Sequence, residues 1–392
     1  MFKETTAITG INLKSVPERW APSLVIMIGL AGVVAVLTAL LAMGEGFRQT
    51  LAATGSRDVA LILRGGSNTE LNSGMSRNEA SVVEQAPGIK KDAEGKPLLA
   101  KELTVITELL KKGETVNGSN VTLRGVDPNS FKLRPQLRLV EGRMFEPGLR
   151  ELVVGRGVTR QFSGAAVGEV IRMRSSEWKV VGVFESGDAS ESELWADAET
   201  AQTSFGRQGY SSILAALDGE GALETLRTAL SADRRLTLDV QTQQDYYSAQ
   251  TKNFRMTIGV LAGFITVVMG LGAIFAALNT MYAVVATRSR EIATLRALGF
   301  GAFPVVLSVM IEAIVLALVG GLSGALIAYV LFNNFTVSTL SQNFTQVVFS
   351  FKVTPALVVQ GLIVALIIGT IGGLLPAIRA ARLPVTTALR ES

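Results

Sequence analysis

Ile258–Ala286 reads "IGVLAGFITVVMGLGAIFAALNTMYAVVA", and Phe303–Phe332 reads "FPVVLSVMIEAIVLALVGGLSGALIAYVLF". Between them lies "SREIATLRALGF", Ser289–Phe300, which carries Arg290, Glu291 and Arg296. A helix crosses the hydrocarbon core of a bilayer with about 20 predominantly apolar residues. Both flanking runs exceed that length, so the polar stretch reads as a turn between two membrane crossings.

Two further runs have the same character. Leu24–Met43, "LVIMIGLAGVVAVLTALLAM", holds no charged residue, and Pro355–Leu375 reads "PALVVQGLIVALIIGTIGGLL". Thr354–Pro355 fits an N-cap followed by proline at the first helical position, and Pro376 is expected to end or kink that helix. The first run is longer than the 7–15 residues of a signal-peptide core, and "AMGEGF" lacks a small-x-small cleavage pattern, so it reads as a retained anchor. The expected fold class is a membrane protein: four transmembrane α-helices with a large α+β extracytoplasmic domain between helices 1 and 2. The expected order is a segment 1–23, the first span 24–43, the external domain 44–256, the second span 257–286 and a loop 287–302. A third span 303–332, a short external loop 333–354, a fourth span 355–375 and a tail 376–392 follow.

Composition agrees. Of 392 residues, 48% are apolar and 18% charged, where soluble domains carry about 25% charge; the mean hydropathy is +0.37. The chain has no cysteine and no histidine. That removes disulfide frameworks, zinc sites of the usual Cys/His kind, histidine acid–base chemistry and Ser–His or Cys–His nucleophiles. No P-loop, HExxH or GxSxG pattern is present, so nothing marks the chain as an enzyme.

Charge distribution sets an orientation. Residues 44–256 hold 27 Lys/Arg and 28 Asp/Glu, so the remainder holds 37 − 27 = 10 basic and 33 − 28 = 5 acidic residues. The basic excess flanks the spans: Lys3, Lys14 and Arg19 before the first, Arg288, Arg290 and Arg296 after the second, Arg379, Arg382 and Arg390 after the fourth. The positive-inside rule then places both termini and the Ser289–Phe300 turn in the cytoplasm. A nucleic-acid reader would carry its basic excess on a polar domain, so no nucleic-acid partner is expected.

Within 44–256, "DVALILRGG", "VTLRGVD", "LRELVVGRG" and "LTLDV" read as strands, and "RNEASVVEQAPG" and "GALETLRTALSAD" as helices. "GEVIRMRSSEWKVVGVFES" reads as a hairpin turning at Ser175–Ser176, with Ile171 and Met173 on one face and Arg172 and Arg174 on the other. No sharp linker divides the domain, although two lobes remain open. "GEGFRQTLAAT" and "QTQQDYYSAQTKNFR" read as helical extensions of the first two spans.

Glu312 stands inside the third span, where a carboxylate is costly. It reads either as a cation or proton relay or as a structural group hydrogen-bonded between helices. Gly259–Gly263 and Gly320–Gly324, each spaced i, i+4, read as helix-packing positions. In the turn, a helical wheel places Ile292, Leu295 and Gly299 on one face and Arg290, Ala293 and Ala297 roughly opposite, with Gly299 as the stop. Such a helix either lies on lipid headgroups or docks a soluble partner.

The turn resembles the signature of MacB/FtsX-type (type VII) ABC transporter permeases, which reads R-x-x-E-I-x-x-L-R-A-L-G. Arg288, Glu291, Ile292, Leu295, Arg296, Ala297, Leu298 and Gly299 fit it. "IEAIVLALVGGLSGALIAYVL", with Glu312, Gly320, Gly321 and Gly324, resembles the family's third span, and "LPAIRAARLPVTTALRES" its tail. "LVEGRMF", "ELVVG", "VGEVIRM" and "WKVVGVF" are similar to its external domain, and "INLKSVPERWAPS" to its interfacial elbow. The resemblance implies a permease subunit of the bacterial inner membrane, not itself an enzyme, whose helix at Arg288–Gly299, including Arg290, couples to a separate ABC ATPase. ATP and Mg would be bound by that ATPase, with no cofactor in this chain. Because only about 23 residues precede Leu24, no fused ATPase is expected. The resemblance further implies a homodimer or a heterodimer with a second permease, a possible periplasmic adaptor, and work done outside the membrane: export of a drug, peptide or lipid, extraction of a lipoprotein, or activation of a cell-wall hydrolase. The alternatives are a secondary transporter, for which inverted repeats are not visible, and a membrane-anchored sensor or scaffold.

Overall fold

The structure, a computed structural model, describes residues 20–116, 118–299, 301–340 and 345–382. The expectations placed on residues 1–19 and on the tail beyond Arg382 lie outside the described residues.

Helix α1 (Trp20–Thr54) leads into strand β1 (Val59–Arg64), a 3-10 turn at Glu70–Asn72, β2 (Met75–Ser76), α2 (Arg77–Glu84), β3 (Leu99–Leu110) and β4 (Gly118–Val126). Next come α3 (Pro128–Lys132), β5 (Arg138–Gly142), β6 (Glu151–Gly155), α4 (Arg156–Gln161), β7 (Val170–Met173) and β8 (Ser176–Glu185). A second 3-10 turn at Ala189–Ser192 precedes β9 (Glu193–Asp197), α5 (Ala198–Phe205), β10 (Gly209–Tyr210), β11 (Ser212–Ala216), α6 (Ala222–Ala232) and β12 (Leu238–Thr242). The chain continues with α7 (Gln243–Thr287), α8 (Ser289–Ala297), α9 (Ala302–Phe332), the strands β13 (Thr336–Leu340) and β14 (Gln346–Ser350), and α10 (Pro355–Ala381).

These elements fall into two compact units. The first comprises the chain up to Glu45, Arg255–Phe335 and the chain from Phe351 onward; the second comprises Gly46–Phe254 and Thr336–Ser350. In the first unit α1, α7, α9 and α10 are long and apolar enough to cross a membrane. Helices α1 and α7 run well past the apolar runs that define them, so "GEGFRQTLAAT" and most of "QTQQDYYSAQTKNFR" are helical. Helix α10 does not stop at Pro376 but continues to Ala381. Proline removes one backbone donor and crowds the carbonyl four residues back; that residue is Gly372, preceding Gly373, where no side chain adds to the crowding.

The helices interlock through small residues. A Cβ added at Gly320 would stand 2.9 Å from the Met27 carbonyl oxygen, and one at Gly324 only 2.3 Å from that of Ala31. These two glycines therefore let the α9 and α1 backbones meet, as packing in lipid requires. Gly259 and Gly263 behave differently: among the described residues nothing lies within 4 Å of a Cβ at either. The α7 face that carries them also bears exposed Met256, Val260 and Phe264, so it packs against none of the described helices there.

The second unit is built on one mixed sheet in the order β12-β1-β11-β3-β4-β9-β6-β8-β5, with β7 paired to β8. Pairs β4–β9 and β6–β8 are parallel, the others antiparallel. The continuous sheet answers the question of lobes: it carries the apolar cores without a linker, and a smaller cluster of Val126, Val153, Val181, Phe184 and Trp195 accompanies two larger ones. One gathers Ile62, Val83, Ile213, Leu226 and Val240. The other gathers Leu123, Leu152, Phe162, Trp178 and Phe205. The β7–β8 hairpin pairs Met173 with Ser176, so its turn is Arg174–Ser175, one residue earlier than expected, and Arg174 takes a positive φ of 51°. Ile171 and Met173 are buried, as their alternation requires.

The segment 333–354, expected to be a short loop, is largely a β-hairpin, with Thr336 opposite Ser350 and Leu340 opposite Gln346. It forms because "QVVFSF" alternates: Val347, Phe349 and Phe351 are buried while the residues between them are not. In the second unit the Val348 N–H donates to Ser192 Oγ at 2.8 Å, and the Phe349 ring lies 5.4 Å from Phe47 and 6.5 Å from Phe254.

Candidate functional site

Helix α8 follows α7 after a break at Arg288, whose φ of −101° and ψ of 7° leave the helical region. It ends where expected. The Leu298 N–H bonds the Thr294 carbonyl, the Gly299 N–H bonds that of Arg296, and Gly299 takes φ +96°, the left-handed stop that glycine adopts without strain.

The two sides of this short helix differ sharply. Ile292 is 3% and Ala293 1% exposed. Ile292 belongs to the apolar core of the first unit, together with Met281 and Val285 of α7 and Val305 and Val309 of α9. Arg290, Glu291, Thr294, Ala297 and Leu298 are exposed, with Leu298 at 72%, while Leu295 and Arg296 are half-buried. The expected wheel is thus corrected at Ala293, which lies with Ile292 on the buried side. A wheel centred on apolar bulk turns Ala293 outward, whereas close helix packing favours that small residue on the inner side. The same geometry removes Ile292 from the surface a partner can reach. It leaves an outward stripe of Arg290, Glu291, Thr294, Ala297 and Leu298; of these Thr294 is a neutral residue at an unspecified position of the R-x-x-E-I-x-x-L-R-A-L-G pattern.

Arg288 is also buried, at 6%. Its Nε donates to Glu291 Oε2 at 2.9 Å, and its Nη1 lies 3.5 Å from Glu312 Oε2. Glu312, 4% exposed in α9, therefore has a cationic neighbour at the start of α8. The sequence placed these two residues in separate roles, since nothing in a linear reading brings positions 24 apart together.

The second unit holds a buried charge network that no motif announced. Arg124 on β4 bonds Glu70 at 2.8 Å, Glu102 on β3 at 2.9 Å and Glu193 on β9 at 2.8 Å. Arg134 Nη2 bonds Glu102 Oε2 at 2.8 Å, and its guanidinium lies 5.1 Å from the Trp195 ring centroid. Ser212 Oγ donates to Glu70, and the Glu70 N–H donates to the Tyr246 hydroxyl of α7. Burial alone pushes the Glu102 carboxyl up, but the charges of Arg134 and Arg124 outweigh it and hold it at about 2. Burial pushes the Tyr246 and Tyr247 hydroxyls up, assisted by the Glu70 charge. This is an arrangement for rigidity: the members bond one another across three strands and the start of α7.

Four helices of membrane-crossing length and an inserted sheet-rich unit define a polytopic membrane protein with a folded external domain. The family follows from the match over the inserted unit. Residues 23–233 match the MacB-like periplasmic core domain, and residues 263–385 match the FtsX-like permease C-terminal region. The chain belongs to this MacB/FtsX family of ABC transporter permeases. It is 26% identical over 392 residues to the ABC transporter permease YvrN of Bacillus subtilis (strain 168), covering 93% of each chain. It is 28% identical over 400 residues to the macrolide export ATP-binding/permease protein MacB 1 of Aeromonas hydrophila subsp. hydrophila, covering 93% of this chain and 57% of that one. Among solved structures, the periplasmic region of MacB from Actinobacillus actinomycetemcomitans aligns at 12% identity and a TM-score of 0.37, over 52% of this chain and 94% of that one.

Proposed function

We propose that this chain is the membrane-spanning subunit of an ATP-driven transporter whose ATPase is a separate chain that docks on the outward stripe of α8. ATP and Mg belong to that ATPase. The chain sits in the bacterial inner membrane with both termini and α8 in the cytoplasm and residues 44–256 outside. A dimer of permease chains, alike or different, completes the complex, and an adaptor can join it outside the membrane. The work done there is export or extrusion of a drug, peptide, lipid or lipoprotein. Supporting this, YvrN and YknZ of Bacillus subtilis, matched over 93% and 97% of their lengths, are named as permeases. MacB 1 and PvdT carry export in their names, of macrolides and of pyoverdine.

The observation that carries the reading is the two-sided α8. One side is buried, with Ile292 in the apolar core and Ala293 beside it. The other offers exposed charge flanking Leu298, a surface for a soluble partner rather than for lipid alone. The test is co-purification of the full-length chain with its co-expressed ABC ATPase, comparing wild type with Arg290→Glu/Leu298→Asp. Retained ATPase is expected to fall at least tenfold in the variant. A wild type that never retains an ATPase, or a variant that retains it fully, overturns the reading.

A further inference from the structure

The charged groups about α8 span from its solvent-facing side into the membrane unit. Glu291 is on the outward stripe, with its side chain 65% exposed; Glu312 is inside α9, 4% exposed; Arg288 lies between and contacts both. Below this, Ile292 shares the core of the first unit with Val305 and Val309, the opening turns of α9. Helix α8 is therefore held to α9 at two levels, one apolar and one ionic. The connection that the chain itself supplies is the short stretch through Gly299 and Gly301, whose glycines transmit bending poorly. A carboxylate ten residues into an apolar helix is costly to keep. The cost is offset where a guanidinium meets it.

We infer that Arg288 and Glu312 are positioning residues that pin the coupling helix to α9, so that a push on the outward face of α8 moves α9 as one body with it. Arg288 thus leaves the set of residues that touch the ATPase, and Glu312 acts through Arg288 rather than as a relay. Glu291 is the outer end of the same ionic link: a partner cation that engages Glu291 acts on Arg288, and through it on Glu312. The inference rests on the docking reading above, and it adds what happens after docking.

The chain has no cysteine, so labels can be placed singly. The experiment uses the full complex with its ATPase in nanodiscs and spin labels at Ser289→Cys, at the start of α8 and off the outward stripe, and at the exposed Leu322→Cys on α9. The α8–α9 distance is read by pulsed electron resonance without nucleotide and with ATP trapped by vanadate. Four backgrounds are compared: wild type, Arg288→Gln, Glu312→Gln and the exchange Arg288→Glu/Glu312→Arg. Wild type is expected to keep one narrow distance in both states. The two single variants are expected to retain the ATPase yet broaden or shift the distance by several ångström when nucleotide is trapped, with ATP turnover at least fivefold less responsive to the permease. The exchange is expected to restore the narrow distribution, which a role in folding alone does not explain. A distance in wild type that shifts as much as in the variants overturns the pin, as does a single variant indistinguishable from wild type in both readouts, or an exchange no better than the singles. Loss of the ATPase from wild type itself refutes the docking reading instead, so the two failures are told apart.

Discussion

Glu102→Gln in the buried network of the external unit should be among the most destabilising single changes in the protein. Glu102 is fully buried and bonds both Arg124 and Arg134. Its carboxyl is held at about 2 against an ordinary 4.5. The difference of about 2.5 units corresponds to about 3 kcal/mol at 1.36 kcal/mol per unit. The sign follows from the depressed value: this stability is fully present above about pH 4.5 and is lost as pH falls toward 2. Glutamine also leaves Arg134 without its counter-charge, which belongs to the 3–5 kcal/mol range for breaking a buried pair. For a domain of about 200 residues, 3 kcal/mol lowers the unfolding midpoint by roughly 6–12 °C. Trp195, beneath Arg134, and Trp178 are both fully buried in this unit, so intrinsic fluorescence of the purified full-length chain reports its unfolding. At pH 7 the variant should melt roughly 6–12 °C lower, and the gap should close between about pH 4.5 and pH 2. A midpoint within about 2 °C of wild type at pH 7, or a gap that persists unchanged to pH 2, refutes the reasoning.

Other outcomes follow from the packing. Gly324→Val drives a side chain into the Ala31 carbonyl, 2.3 Å from the new Cβ; it should cost more than the usual 1–3 kcal/mol of overpacking, read as loss of the monodisperse detergent-purified chain, whereas Gly259→Val should behave as wild type there. Phe349→Ala removes the ring that meets Phe47 and Phe254; amide exchange across Thr336–Ser350 should rise at least tenfold, with exchange in β1 unchanged. Leu298→Asp alone should leave the unfolding free energy within about 0.5 kcal/mol of wild type, because the side chain is exposed, while weakening ATPase retention; a large loss of stability instead places Leu298 inside the fold.

How much was legible follows the range of the interactions. Apolar runs such as Leu24–Met43 declare themselves residue by residue, because lipid solvates each side chain independently. The Gly299 stop and the Ile171/Met173 alternation are likewise local. The hairpin at 333–354 leaves a trace in the alternation of "QVVFSF", but five-residue strands between two spans give a weak signal beside them. The α8 motif names residues by position and does not say which way each faces.

Order along the chain thus determined the spans, the inserted domain and the position of the polar helix, because hydrophobicity, helix stops and strand periodicity act over a few neighbours. Only the tertiary structure decided that Arg288 turns inward to Glu312, that Gly320 and Gly324 meet α1 while Gly259 and Gly263 meet none of the described residues, and that Arg124 gathers three glutamates from distant segments. The physical reason is that a buried charge or a missing Cβ takes its meaning from the groups folding brings within a few ångström, and those groups are not its neighbours in sequence.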